Sequence, residues 1–156
     1  MIVNNISVQQ IQARHINQLF DLSKDALREK GIENIREDIL MAGLKNTLAK
    51  KYSQIDFGVM HLNTLVGFGF VEITQPIYLE RPSAQIQHVY LHSDFRTAEN
   101  YIKLLREIVS TVAKIGAGTI KTTDDWTLCN DCDVFKTAMT MLANHQTETI
   151  YNLEVE

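Results

Sequence analysis

Two prolines, two cysteines and one tryptophan among 156 residues leave the chain with little punctuation and little means of covalent reinforcement. Cys129 and Cys132 are spaced as Cys-x-x-Cys, but one such pair is half a zinc site, and neither a second pair nor a His-x-x-x-His follows to complete it. Asp131 and Asp133 beside the thiols disfavour a thiolate, which argues against redox use. Free cysteines and no metal site are therefore expected. No run approaches the roughly 18 consecutive apolar residues of a membrane span, and Met1-Ile-Val-Asn-Asn lacks the basic-then-apolar pattern of a signal segment. These absences predict a cytoplasmic protein with no membrane partner. A net charge of −4 argues against a broad nucleic-acid surface, and Lys45, Lys50 and Lys51 read as a solvated helix end favoured by the dipole.

Hydrophobic residues make up 45% of the sequence, enough for one proper core, so residues 1–156 are expected to form a single domain. Ile2 to Val8 reads as a strand, and Ile16, Leu19, Phe20, Ser23, Ala26 and Leu27 repeat at helical spacing up to Gly31. Asn34 is the expected cap of a second helix carrying Ile35, Ile39, Leu44 and Leu48. Ile55 to Leu62 and Leu65 to Ile73 form a hairpin turning at Asn63-Thr64; Ala84 to Leu91 resumes extended structure after Pro76 and Pro82. Tyr101, Leu104, Leu105, Ile108, Val109, Val112 and Ile115 then keep one apolar stripe over four turns, ended by Gly116 and Gly118. Thr119 to Thr123 is a short strand, Val134 to Leu142 a helix and Thr149 to Val155 a last strand. The order predicts an α+β fold: a mixed central sheet with an antiparallel meander, a helix crossover between parallel neighbours, and helices on both faces.

The stretch from Gln85 to Arg96, running into the Tyr101 to Ile115 segment, reads as buried strand, short polar turn and long helix. A helix N-terminus just past a strand end offers unpaired N–H groups and the positive dipole end to a phosphate. The turn, however, contains no glycine.

Three segments resemble the GCN5-related N-acetyltransferase (GNAT) superfamily: Val66-Gly-Phe-Gly-Phe, Val89-Tyr-Leu-His-Ser-Asp-Phe-Arg96 before the long helix, and Glu148-Thr-Ile-Tyr-Asn-Leu-Glu-Val155. The likeness spans nearly the whole chain. It implies the GNAT-like fold and acetyl-CoA as cofactor, with Val89 and Leu91 facing the pantetheine arm and Arg96, Thr97, Ala98, Glu99, Asn100 and Tyr101 forming the pyrophosphate turn. The family turn usually has Gly, and Gly or Ala, where this chain has Glu99 and Tyr101. Glycine admits a phosphate closely. A carboxylate facing it at ~4 Å costs about 1 kcal/mol in water and about 4 at an effective dielectric of 20. Pointed outward, Glu99 instead stabilises the first helical turn.

Many relatives place a glutamate base on the strand before the turn; Gln85 and Gln87 stand there in this sequence and cannot act as bases. His88 and His92 share a strand face by spacing and titrate near neutrality, so they are candidate bases together with Glu72. Tyr78, Tyr90 and Tyr151 are candidate acids beside the competing reading as packing residues; Phe135, in the later helix, has no proton to give. Gly67 and Gly69 leave one strand face bare, for a ligand or for a close helix. Trp126, after Thr122 to Asp125, flanks the expected acceptor cleft. The resemblance implies acetyl transfer to an amine, of a small molecule or a protein, by direct attack. The competing reading is a GNAT-fold protein without catalysis, acting by assembly or protein binding as a homo-oligomer or complex component, in the manner of divergent relatives carried by phage genomes.

Overall fold

The computed structural model describes residues 5–50, 53–75, 77–78, 80–122 and 150–151. Its strands are β1 (Ile6–Gln10), β2 (Gln54–His61), β3 (Thr64–Thr74), β4 (Ser83–Leu91), β5 (Thr119–Thr122) and β6 (Ile150–Tyr151), and its helices α1 (Ile16–Glu29), α2 (Glu37–Ala49) and α3 (Ala98–Ile115). The strands lie side by side in chain order. β1 to β4 pair antiparallel, and β5 and β6 add parallel. The expected helix of Val134 to Leu142, Trp126 and both cysteines lie outside the described residues.

α3 carries the expected stripe but begins at Ala98, ahead of the expected Tyr101, so that Ala98 to Tyr101 of the expected turn are its first helical residues. Thr97 caps it by accepting the Asn100 N–H at 3.2 Å, Glu99 and Lys114 complement the dipole, and Gly116 closes it at φ 93°, a left-handed angle that glycine adopts without a Cβ penalty. Tyr101, Leu104, Leu105, Ile108 and Val112 are buried, each apolar side chain stabilising by roughly 1.5–3 kcal/mol. The stripe fades at its end, where Ile115 is exposed. α3 covers the bare face of β3: a Cβ on Gly69 would meet Leu104 and Ile108 at 3.4–3.6 Å. The helix, rather than a ligand, takes that face. At Gly67 a Cβ would stand 2.7 Å from the Tyr90 carbonyl oxygen, so only glycine fits there. α1 and α2 cover the opposite face, which carries Phe68 and Phe70.

Several boundaries shift from the sequence reading. The α2 cap is Arg36 rather than Asn34, with Glu37 and Asp38 in the first turn. The hairpin turns at Leu62-Asn63, with exposed Leu62 at φ 55°, one residue earlier than expected. β1 begins later than Ile2 and runs to Gln10; residues 1–4 are not described.

Candidate functional site

Two features of β4 shape the site. The β3–β4 register passes from Phe70↔His88 to Val71↔Ile86, so Gln87 is a bulge residue that brings both Gln87 and His88 to the α1/α2 side. Among the described residues, the parallel ladder with β5 runs over Ser83–Ile86 of β4. Beyond it, the His92 N–H donates to the Val66 carbonyl at 2.8 Å. By alternation, the backbone groups of Val89 and Leu91 point away from β3.

On the α1/α2 face, β3 and β4 enclose a cavity of about 550 Å³ with those helices. Phe68 and Phe70, stacked with centroids 4.9 Å apart, form its floor, and Leu40 and Leu44 face them from α2. Its polar end carries Glu72, Gln87 and His88, and the Gln87 amide donates to Glu72 Oε2 at 2.7 Å. His88 stands at the rim. It is exposed by surface area, yet its ring has enough protein around it that desolvation, and then the Lys30 ammonium, hold its pKa below the ordinary imidazole value. A neutral imidazole near pH 7 is the form that accepts a proton.

The structure thus brings Glu72 and His88 to one cavity and leaves His92 out of it. His92 falls one residue past β4, accepts the Asp94 N–H on Nδ1 at 3.3 Å, and lines a separate cavity of about 350 Å³ with Asp21, Asp25 and Asp94. Both histidines face the α1 side of the sheet, as their spacing predicts, but they line different cavities. Tyr78 is exposed on the β3–β4 connection. Tyr90 donates its hydroxyl to Glu29 Oε1 at 2.8 Å, and burial followed by that bond pushes its pKa far above the phenol range. Its proton is held. Tyr151 pairs with Lys121 in the β5–β6 ladder.

The turn into α3 is occupied by its own side chains. Arg96 donates to both Glu29 oxygens at 2.8 and 3.0 Å and, through Nε and Nη2, to the Leu91 carbonyl at 3.1 and 2.8 Å. Its side chain is 11% exposed and its guanidinium lies 5.6 Å from the Tyr90 ring centroid. Asn100 donates to the Phe95 carbonyl at 2.8 Å, and the Tyr101 N–H to the Thr97 carbonyl at 3.1 Å. The Arg96 and Thr97 amides bond back to Ser93 and Phe95. At the α3 N-terminus the amides of Ala98 and Glu99 have no partner among the described residues. The Glu99 side chain is 82% exposed, 3.8 Å from Lys103 Nζ, and directed to solvent.

Sequence reasoning missed Glu29, Ser23 and Asp56. Glu29 ends α1, where a carboxylate opposes the dipole, and that local misfit was the available signal of a partner elsewhere. Ser23 Oγ is buried without a partner among the described residues. Asp56, beside Phe70 on β2, has its pKa raised from 3.8 to about 6 by burial, against the opposing Gln54 hydrogen bond. Among the described residues, no cluster of His, Cys, Asp or Glu is arranged to hold a metal, and no helix is long and apolar enough to cross a membrane.

No protein-family model and no curated protein matches the sequence. Solved structures do match in three dimensions. A possible acetyltransferase from Clostridium difficile 630 matches at TM-score 0.71 and 13% identity, over 97% of this chain and 96% of that one. A predicted acetyltransferase from Clostridium acetobutylicum, solved with acetyl-CoA, matches at TM-score 0.63 and 18% identity, over 76% and 80%. An aminoglycoside N-acetyltransferase in complex with CoA matches at TM-score 0.67 and 13% identity, over 97% and 91%. The architecture is the GNAT acetyltransferase fold, mixed in its sheet and helical on both faces.

Proposed function

We propose that this GNAT-fold chain is an N-acyltransferase that moves an acetyl group from acetyl-CoA to an amine. The observation that carries the reading is the pairing of β4 backbone groups at Val89 that point away from β3 with a cavity holding Glu72 and His88 beside them. The fold's neighbours include proteins solved with acetyl-CoA and with CoA. The residues present fit that cofactor: the outward backbone groups of Val89 suit an amide-bearing pantetheine arm, and the Ala98 and Glu99 amides, at the positive end of α3, suit a phosphate. When bound, acetyl-CoA supplies the thioester, whose C–S bond breaks as the N–C bond forms. Glu72 anchors the amine, and His88 takes the proton that the nitrogen sheds; an equivalent proton ends on the departing sulfur. Arg96 acts as a positioning residue, holding the turn against Leu91 and Glu29.

Calorimetry with acetyl-CoA tests this reading. Binding in the micromolar range, weakened in Arg96→Ala, is expected; no detectable binding at millimolar ligand sinks it. One observation favours a second reading, a non-catalytic GNAT-fold protein that works through protein contacts: the turn's cation and most of its amides are already engaged within the protein. A protein that is an oligomer or partner complex in sedimentation, and is indifferent to acetyl-CoA, is the outcome that reading requires.

A further inference from the structure

The cavity under α1 and α2 also constrains which amine it takes. At about 550 Å³ it is sized for a small molecule rather than a macromolecule. Its walls are mainly apolar, Glu72 is the one carboxylate among the described lining residues, and Lys50 stands at the same cavity. The described lining offers a polycation one carboxylate and a cation besides.

Two further details of the walls point to an occupant. Ser23 lines the cavity with its residue 5% exposed, and its Oγ has no hydrogen-bond partner among the described residues. Buried hydroxyls are normally paired; this one is closed off in its present rotamer, so a polar atom inside the cavity would complete it after a turn about χ1. Gly43, also on the wall, sits in the interior of α2, where glycine weakens a helix relative to alanine. Nothing lies within 4 Å of a Cβ placed there, so no packing contact demands glycine. The space it leaves belongs to the cavity.

Building on the acyl-transfer reading, we propose that the acceptor is a small monoamine with an apolar body and one further hydrogen-bonding group. Its ammonium faces Glu72, its body lies between the Phe68–Phe70 floor and α2, and its second polar group pairs with Ser23 Oγ.

Tyramine, phenethylamine, the polycation kanamycin and a short peptide with a free N-terminus form the test set, titrated by calorimetry with and without CoA and assayed for thiol release from acetyl-CoA. Tyramine should bind about tenfold more tightly than phenethylamine, the scale of one hydrogen bond, and this ratio should fall to near unity in Ser23→Ala. Gly43→Leu should weaken both amines by about tenfold or more without lowering the melting temperature. Tighter binding or faster acetylation of kanamycin or the peptide overturns the proposal, as does an unchanged ratio in Ser23→Ala or the absence of binding by either small amine. The two readings fail separately. Ser23-dependent tyramine binding without thiol release removes acyl transfer and leaves the ligand class standing; thiol release with kanamycin but not tyramine does the reverse.

Discussion

The two ends of the β4 segment treat their polar groups in opposite ways. At the turn into α3, Arg96, Glu29, Tyr90, Thr97 and Asn100 satisfy one another and the strand-end carbonyl of Leu91. Under α1 and α2, Ser23 is unpaired among the described residues, Asp56 is buried with only Gln54 as its side-chain partner, and His88 is kept toward its neutral form. Satisfied networks rigidify; unsatisfied groups cost stability and persist where something else uses them. On the acyl-transfer reading, the turn takes a largely architectural part and the cavity the chemical one.

The largest effect expected on the cavity side is on turnover. His88→Gln should lower kcat by about 100-fold or more, the scale of a positioned general base, with KM little changed. Glu72→Gln should act mainly on KM. The acid limb of the wild-type pH profile should lie below the ordinary imidazole value of about 6.5, because a protonated His88 cannot accept a proton. Lys30→Gln removes the cation that helps depress His88, so it should move that limb toward higher pH. An acid limb that survives in His88→Gln would assign the base elsewhere and erase the contrast.

Next in size is the turn's own network. Glu29→Ala strands a guanidinium whose side chain is 11% exposed and removes the acceptor of the Tyr90 hydroxyl. Breaking a fully buried pair costs about 3–5 kcal/mol; with the Glu29 side chain 27% exposed, about 2–3 kcal/mol is expected in urea unfolding. A loss under about 0.5 kcal/mol would place the network among ordinary surface pairs. Glu29→Gln keeps the shape and frees the Arg96 charge. Stronger acetyl-CoA binding in that variant would show that the network competes with the cofactor for Arg96.

Asp56 gives the cavity side a stability signature of opposite sign. Its pKa is raised from 3.8 to about 6 in the folded state, so folding favours the protonated form. The stability it contributes is fully present below about pH 4 and is lost as pH rises through about 6. Asp56→Asn should therefore stabilise the protein at pH 7 by about 3 kcal/mol, with the gain vanishing near pH 4. Thermal melts at both pH values check it, and a gain independent of pH would place the cause outside this titration.

Much of this contrast was hidden in the sequence for physical reasons. The α3 stripe from Tyr101 to Val112 and the alternation of Gly67 and Gly69 are local patterns, and they carried the helix, the meander and the crossover. β4 is buried on both faces around Val89, Tyr90 and Leu91, so its two-residue period is masked and the bulge at Gln87 leaves no local trace. That bulge brings His88 beside Gln87 and Glu72. Arg96 and Glu29 are 67 residues apart, and only the folded sheet makes them neighbours. Arg96 read alone looks like a cation awaiting a phosphate; in the structure it already has its anion. Ser23 fits a helical stripe, and nothing in that spacing tells an unpaired buried hydroxyl from a paired one.

The smallest expected effect lies at Glu99, the residue whose charge is of the sign that opposes a phosphate in the turn. A carboxylate facing a phosphate at ~4 Å would cost about 4 kcal/mol at an effective dielectric of 20, nearly a thousandfold in affinity. Glu99 is instead 82% exposed and lies 3.8 Å from Lys103, so its charge is directed to water and screened by a neighbour one helical turn on. Glu99→Gln should change acetyl-CoA affinity by no more than about twofold, because the amide at this position is unaltered and the removed charge sits in high dielectric. A tenfold gain measured by calorimetry would mean that the carboxylate turns inward when the cofactor arrives. The turn would then be a site suppressed by charge rather than one held in shape by its own hydrogen bonds.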